Sequence, residues 1–426
     1  MRLNLKELCG KWQGAVSVGQ KLFSALRERN ERLAPTRHYT GKALEKALGV
    51  SPATISRLAK EHPEVFSSLG ATRRYADPNQ LNEIRRLLKK EESNSKTLVG
   101  SVSNYKGGVH KSTLTYNLGA YLAHKGYKVL LIDMDAQGTL SLLSGLMPDV
   151  DTSVEDSLTD LLDTRSDALI VEEDLEGELL NRIKSTHLDN MDIIPAAMSL
   201  SKLETFLSVE KFMCANGTLD YPATHVLFKL RYLISKIDGY DFVLLDGTPS
   251  VGTLNQNIFW ASDFQIVPTP CIGTDLASTV QYLALLGEAL DEELEVTPGL
   301  EYEMGPSQCH VPVKYNNKPN DNCEMYRQAI TTMFAENCMH TPIVEHERVI
   351  QAASTARRSI FDFNRTNDAL LNYALNPNQL KKAVENYEEV FEEVLHKVVY
   401  PLLPEKREYL IQAGFGEYLT GTEGVV

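Results

Sequence analysis

The chain has 426 residues, 43% apolar and 23% charged, which suits two or three domains with full hydrophobic cores and excludes disorder on a large scale. No apolar run approaches the roughly 18 residues a membrane span needs, and the opening MRLNLKELCGKWQG lacks the apolar core of a signal peptide, so a cytosolic protein without a membrane partner is expected. The net charge of −14 hides an asymmetry: residues 1–96 hold 19 Lys and Arg against 10 Asp and Glu, and the remainder 24 against 47, the pattern of a DNA-reading front end on an acidic body.

Residues 17–33 place Val18, Leu22, Ala25, Leu26 and Leu33 near helical spacing, a helix that either dimerises the chain or packs on its own domain. Residues 1–38 are read as an N-terminal helical dimerisation segment. In YTGKALEKALGVSPATISRLAKE, 39–61, a short helix with Leu44 and Leu48 on one face is stopped by Gly49. Ser51 then caps a second helix with Pro52 at its first position and Ile55 and Leu58 turned inward. Two helices joined so tightly make a helix-turn-helix. Thr54, Ser56, Arg57 and Lys60 would face a DNA major groove, although Glu45 stands where a small residue is usual. A strand start, a turn at Gly70, a strand bearing Arg73, Arg74 and Tyr75, and a helix capped by Asp77-Pro78 follow. That is a winged arrangement, with the two arginines on DNA backbone or minor groove and Leu81, Ile84 and Leu88 inside. Residues 39–96 are therefore read as a winged helix-turn-helix DNA-binding domain ending in the polar linker EESNSK.

From Thr97 the pattern changes to short apolar runs, LVGSVS, YKVLLIDMD, MDIIPAA and DFVLLDGTP, separated by helical stretches. The fold class expected is α/β: a parallel-sheet nucleotide-binding domain flanked by helices over 97–400, with 401–426 a C-terminal tail. The first run leads into NYKGGVHKST and a helix with Leu114, Leu118 and Leu122 on one side. The usual phosphate loop G-x-x-x-x-G-K-[ST] would need glycine at Tyr105 and His110, and neither is glycine. Gly107 and Gly108 still let backbone N–H groups converge on a polyphosphate at the helix N-terminus, with Lys111 reaching the β and γ phosphates and the Ser112 hydroxyl holding Mg²⁺. The residue left over is Lys106.

The pattern K-G-G-x-x-K-[ST] resembles the deviant Walker A motif of the ParA/MinD class of dimeric ATPases. LLIDMDAQG, 130–138, is similar to that family's D-x-D-P-Q strand end, and DFVLLDGTPS, 241–250, to its Walker B strand end D-x-x-P. The resemblance implies ATP and Mg²⁺ as cofactors. Binding would fall to Lys106, Gly107, Gly108, Val109, His110, Lys111, Ser112 and Thr113, metal to Ser112, Asp133 and Asp246, and catalysis to Lys106, Lys111 and Asp135. Lys106 would cross a dimer interface to the partner subunit's ATP, Asp135 would orient the attacking water, Asp133 would sit near the metal, and Asp246 would hold Mg²⁺ through water. The chain departs from the family at His110, where glycine is commonest, and at Ala136, where the family has proline. The resemblance is weak over 145–240, and beyond 275 only general organisation carries it.

With its N-terminal module the chain resembles the larger ParA proteins that partition plasmids and some chromosomes. The Gly-broken ending EKREYLIQAGFGEYLTGTEGVV lacks the basic amphipathic helix of the membrane-bound branch. The family implies an ATP-closed homodimer, with filaments an open question, that binds nucleoid DNA without sequence preference. A ParB-like centromere-binding partner would trigger hydrolysis, and the N-terminal module would repress the chain's own operon, with half-sites about 34 Å or a multiple apart. Arg348, Arg357, Arg358, Lys381 and Lys382 are candidates for non-specific phosphate contact. The alternative reading is an ATP-sensing transcriptional regulator without a partition role; a small-molecule kinase would leave Lys106 and the helix-turn-helix unexplained. The six cysteines, Cys9, Cys214, Cys271, Cys309, Cys323 and Cys338, show no metal-ligand spacing and are read as reduced; Cys309 and His310 would point to opposite faces of a strand.

Overall fold

The computed structural model describes residues 5–33, 36–69, 73–90, 94, 96–104, 106–163, 175–296, 300, 303–316, 322–363 and 373–404. Helix α1 (Leu5–Leu33) starts twelve residues before the expected one and runs through Gly10 and Gly14, with Val16, Val18 and Leu22 exposed to solvent. Helix α2 (Gly41–Leu48) stops at Gly49, whose φ of 60° is left-handed, and α3 (Pro52–Glu61) starts on Ser51, whose Oγ accepts from the Thr54 amide at 3.2 Å. Strands β1 (Ser67–Leu69) and β2 (Arg73–Tyr75) pair antiparallel, while the turn expected at Gly70 lies outside the described residues. Helix α4 (Pro78–Leu88) opens with a reciprocal cap between Asp77 and Gln80. Leu44, Leu48, Leu58, Phe66, Leu81 and Ile84 from these elements enclose a small core of their own. Each such side chain, fully buried, contributes about 1.5–3 kcal/mol.

The expected linker is partly described and is pinned down: Asn94 donates its amide to Asp241 at 2.6 Å, and the Lys96 ammonium meets Asp263 at 3.0 Å. Beyond it, β3 (Leu98–Val102), β4 (Val129–Asp133), β5 (Lys184–Ser185), β6 (Met191–Ile194), β7 (Phe242–Asp246), β8 (Phe264–Pro270) and β9 (Ser307–Val313) form one sheet in the order β5-β6-β4-β7-β3-β8-β9. Every neighbouring pair is parallel except β5 and β6. Alternation along the strands sends Leu131, Phe242 and Leu244 to a core shared with α5 (Lys111–Lys125) and the C-terminal helices. Leu130, Ile132, Val243 and Leu245 face the core under the helices Leu200–Ala215 and Thr253–Ala261. An α/β domain with a mostly parallel sheet covered on both faces is therefore observed. Register decides where chemistry can occur, since Val102 of β3 and Asp133 of β4 both pair with Asp246 of β7, bringing three strand ends to one level.

The side chains of five cysteines are described, all buried and none in a disulfide. Cys309 enters the core on one face of β9 while His310 stacks on Phe334 at 3.4 Å on the other, as strand alternation requires. Among the described residues no helix is long and apolar enough to cross a membrane.

Candidate functional site

The loop between β3 and α5 is moored by a residue the motif reading passed over. Asn104, fully buried, donates to the Pro268 carbonyl at 2.8 Å and the Thr279 hydroxyl at 3.0 Å, and its Oδ1 accepts from the Lys106 amide at 3.0 Å. Tyr105 lies outside the described residues. Gly107 and Gly108 are exposed, and a Cβ added to either would meet nothing within 4 Å, so the backbone there borders open space. Gly108 has φ of +72°. His110, where the family prefers glycine, also adopts the left-handed conformation, at φ 64°, and serves as the N-cap of α5. The substitution is tolerated at the cost of a backbone conformation that histidine populates less readily than glycine. Val109 between them is fully buried and anchors the curl. Ser112 and Thr113, in the first turn of α5, are half-buried.

Lys111 is buried, its ammonium 3.4 Å from the Lys106 carbonyl. Burial pushes its pKa down, against the Asp246 and Asp135 carboxylates, which favour the cation. Asp246, at the end of β7, has no exposed surface, and neither of its oxygens has a hydrogen-bond partner, although the Ser112 hydroxyl lies close enough to act on it. Burial and then the neighbouring Asp133 charge raise its pKa well above the usual carboxylate range. A buried carboxylate left bare in this way costs free energy unless a cation approaches it, and that fits a hard ion such as Mg²⁺. Asp133 is different. Its Oδ2 accepts from both the amide and the hydroxyl of Ser141, at 2.8 and 2.7 Å, and its Oδ1 from the Asp135 amide at 3.2 Å. Burial nevertheless raises its pKa to about 6. Asp133 thus fastens the segment after β4 while adding negative charge beside Asp246. Asp135 is half-buried and turns one oxygen to the Gln137 amide at 2.9 Å.

Lys106 faces elsewhere. Its ammonium lies 3.3 Å from Asp275 Oδ1, while Lys314 holds Asp275 Oδ2 at 3.0 Å. Burial would raise the Asp275 pKa, but Lys314 and Lys106 outweigh it and keep the carboxyl below its usual range. Neither Asp275 nor Lys314 stands in a recognisable motif, and only the fold brings them to the loop. The segment after β7 is also clamped from a distance. The Asn255 side-chain amide donates to Thr248 and Ser250 atoms between 2.5 and 3.0 Å, and Glu204 accepts from the Thr253 and Leu254 amides at 2.6 and 3.0 Å. A cavity of about 260 Å³ is lined by Tyr315, Asn316, Val344, Glu345, His346 and Arg348, among others, and Lys314 and Glu345 act electrostatically on His110. Of these lining residues only Arg348 is singled out by the sequence, and for DNA rather than for this cavity.

On α3, Ser56, Arg57 and Lys60 are exposed, and Thr54 is half-buried with its hydroxyl 3.1 Å from Ser51. Arg57 is 4.0 Å from Glu61, a solvent-exposed pair of little energetic weight. Arg73 and Arg74 sit in β2, but their side chains lie outside the described residues. Of the C-terminal basic residues, Arg348, Lys381 and Lys382 are exposed, whereas Arg357 donates to the Gly145 carbonyl at 3.1 Å. The expected tail lies outside the described residues from 405 onward.

Residues 97–295 match the family model described as an AAA domain. The chain is 31% identical over 173 residues to the sporulation initiation inhibitor protein Soj of Bacillus subtilis, covering 40% of this chain and 57% of Soj. It is 32% identical over 216 residues to protein SopA of Escherichia coli K12, covering 50% of this chain and 52% of SopA. The chain therefore spans little more than half the length of either relative. A solved structure described as a partition protein superposes with a TM-score of 0.54 at 19% identity, over 85% of this chain and 99% of that one, a likeness of fold.

Proposed function

Starting from the membership of this chain in the ParA-type family of partition ATPases, we propose that it hydrolyses ATP as a dimer to move or space a DNA cargo, and that it also represses its own operon. The observation that carries this reading is the division of labour between two lysines on one loop. Lys111 lies buried among Asp246 and Asp135, where a bound triphosphate would be gripped, while Lys106 is drawn 3.3 Å from Asp275, away from that grip. A phosphate site within one subunit does not need a second lysine to grip the triphosphate, and Lys106, held at Asp275 outside that grip, would be free to reach the phosphates of a partner subunit.

In this account the amides from Gly107 to Thr113 cradle the polyphosphate at the N-terminus of α5, with Lys111 on the β and γ phosphates. Ser112, Asp246 and, less directly, Asp133 would hold Mg²⁺, which when bound neutralises charge developing on the transferred phosphoryl group. Asp135 orients a water for in-line attack. Asn255 and Glu204 keep the segment after β7 in place, and the cavity lined by Tyr315 and Glu345, whose charge acts on His110, receives the base. Helices α2 and α3 with β1–β2 and α4 form a winged helix-turn-helix in which Thr54, Ser56, Arg57, Lys60, Arg73 and Arg74 meet operator DNA. Exposed α1 pairs with its copy. The closed dimer binds nucleoid DNA in the cytosol without sequence preference, and a ParB-like protein on a centromere stimulates hydrolysis and release. ATP turnover by the purified chain, with duplex DNA and the product of the adjacent downstream gene, tests the proposal. Turnover rises when both are added and is lost in Lys111→Gln; turnover indifferent to both additions contradicts partitioning.

A further inference from the structure

We infer that a buried hydrogen-bond relay, running from the first turn of α5 to Tyr39, couples nucleotide occupancy to the seating of the N-terminal module. Helix α5 begins on the phosphate loop at Lys111 and ends at Lys125, beneath the module. Asn117, one turn along, donates to the Thr113 carbonyl at 2.8 Å, and its Oδ1 accepts from Ser359 Oγ and the Ile360 amide at 2.9 and 3.0 Å. The Ser359 amide in turn donates to Asp362 Oδ2 at 2.8 Å. The Asp362 carboxylate binds two imidazoles, His124 Nε2 through Oδ1 and His187 Nε2 through Oδ2, each at 2.9 Å. His124 Nδ1 lies 2.9 Å from the Tyr39 hydroxyl. Asn117, Ser359, Asp362, His124 and Tyr39 are all buried.

The polarity of the relay is fixed by its one anion. Burial would raise the Asp362 pKa, but His187 and His124 hold it far below the usual carboxylate range. Burial pushes His124 toward the neutral form. A neutral imidazole that donates to Asp362 through Nε2 has Nδ1 left as an acceptor, so Tyr39 donates into the ring. Tyr39 is the module's anchor, exchanging two backbone hydrogen bonds with Ala76 at 2.8 and 3.1 Å immediately before α2. The module grips the same two stations a second time: α4 donates from Asn82 to the Ala123 carbonyl at 3.4 Å and from Asn79 to the His187 carbonyl at 3.3 Å. Leaving a member of a buried polar chain unpaired is costly, so a displacement at Thr113 would favour movement of its partners along the relay. The coupling is reciprocal, and DNA held by the module would alter nucleotide affinity by the same factor.

The inference rests on the proposed nucleotide reading, and the test separates the two. Backbone amide exchange of residues 41–61 is measured on the full chain with and without MgADP, and affinity is followed with a fluorescent ADP. In the unaltered chain MgADP changes exchange over 41–61. Tyr39→Phe, which removes only the hydroxyl, keeps nucleotide affinity within about twofold and loses most of that change. Arg86→Gln, whose side chain reaches Asn190 at 3.4 Å outside the relay, keeps it. A chain that binds ADP but shows the same response in Tyr39→Phe, or no response in the unaltered form, overturns the relay alone. A chain that binds no ADP overturns the nucleotide reading and the relay together.

Discussion

Asp246 is the residue whose surroundings say most about what the site awaits. Both its oxygens are buried and without hydrogen bonds, and Asp133 adds a like charge. Asp246→Asn removes that charge, and in the absence of nucleotide it should stabilise the fold by about 1–3 kcal/mol, or a few degrees in Tm, while abolishing Mg²⁺-dependent nucleotide binding. The pH dependence has a definite sign. A carboxyl whose folded pKa is raised binds its proton more tightly folded than unfolded, so its contribution to stability falls as pH rises. The Tm gain of Asp246→Asn over the unaltered chain should therefore grow with pH, and thermal melts between pH 5 and 8 check it; a gain that shrinks would contradict the assignment. Affinity for Mg²⁺-nucleotide runs the other way, weakening as pH drops below about 6, where Asp133 takes up its proton. The residues in motifs were legible from sequence. Asn104, Glu204, Asn255, Asp275 and Lys314 were not: Glu204, Asp275 and Lys314 reach the site from remote parts of the chain, and Asn104 and Asn255, though close in sequence to what they hold, are ordinary polar side chains that carry no local signal of it.

Among the elements, β3, β4, β6 and β7 were legible as continuous apolar runs, the mark of strands covered on both faces. β8 and β9 were not. Pro268 and Pro270 fall in β8 and Pro312 in β9, and proline ordinarily argues against a strand inside a sheet, yet both strands are paired and largely buried. The start of α1 was missed for a related reason, since Gly10 and Gly14 each disfavour a helix by about 1 kcal/mol and the helix runs through both. One glycine tests the packing of the sheet directly. A Cβ at Gly100 in β3 would lie 2.1 Å from the ring of Phe264, which is itself fully buried in β8. Gly100→Ala should cost at least about 1–3 kcal/mol, measured by urea unfolding, and Gly100→Ala with Phe264→Leu should recover part of it. An unchanged midpoint in the single variant would show that β3 and β8 do not approach as described.

At the scale of the whole molecule, a basic front end is joined to an acidic body, and the joint is a specific interface rather than a tether. The charge asymmetry was readable from composition. The interface was not, because Tyr39, His124, His187 and Asp362 are far apart in sequence and meet only when the sheet and module are assembled. If the module reads DNA through α3, Lys60→Ala should leave the fold intact, weaken binding to duplex DNA, and reduce the slope of log affinity against log salt by about 0.9, as loss of one phosphate contact requires. Filter-binding titrations over a range of salt would show it, and an unchanged slope would remove Lys60 from the interface. The central claim is that triphosphate joins two copies of the chain through Lys106, and mass in solution tests it most directly. Light scattering with a slowly hydrolysed ATP analogue and Mg²⁺ should show a nucleotide-dependent rise in assembly for the unaltered chain, and no such rise for Lys106→Ala, which still binds the nucleotide. The same assembly with and without the analogue, or a Lys106→Ala chain that assembles like the unaltered one, would contradict it.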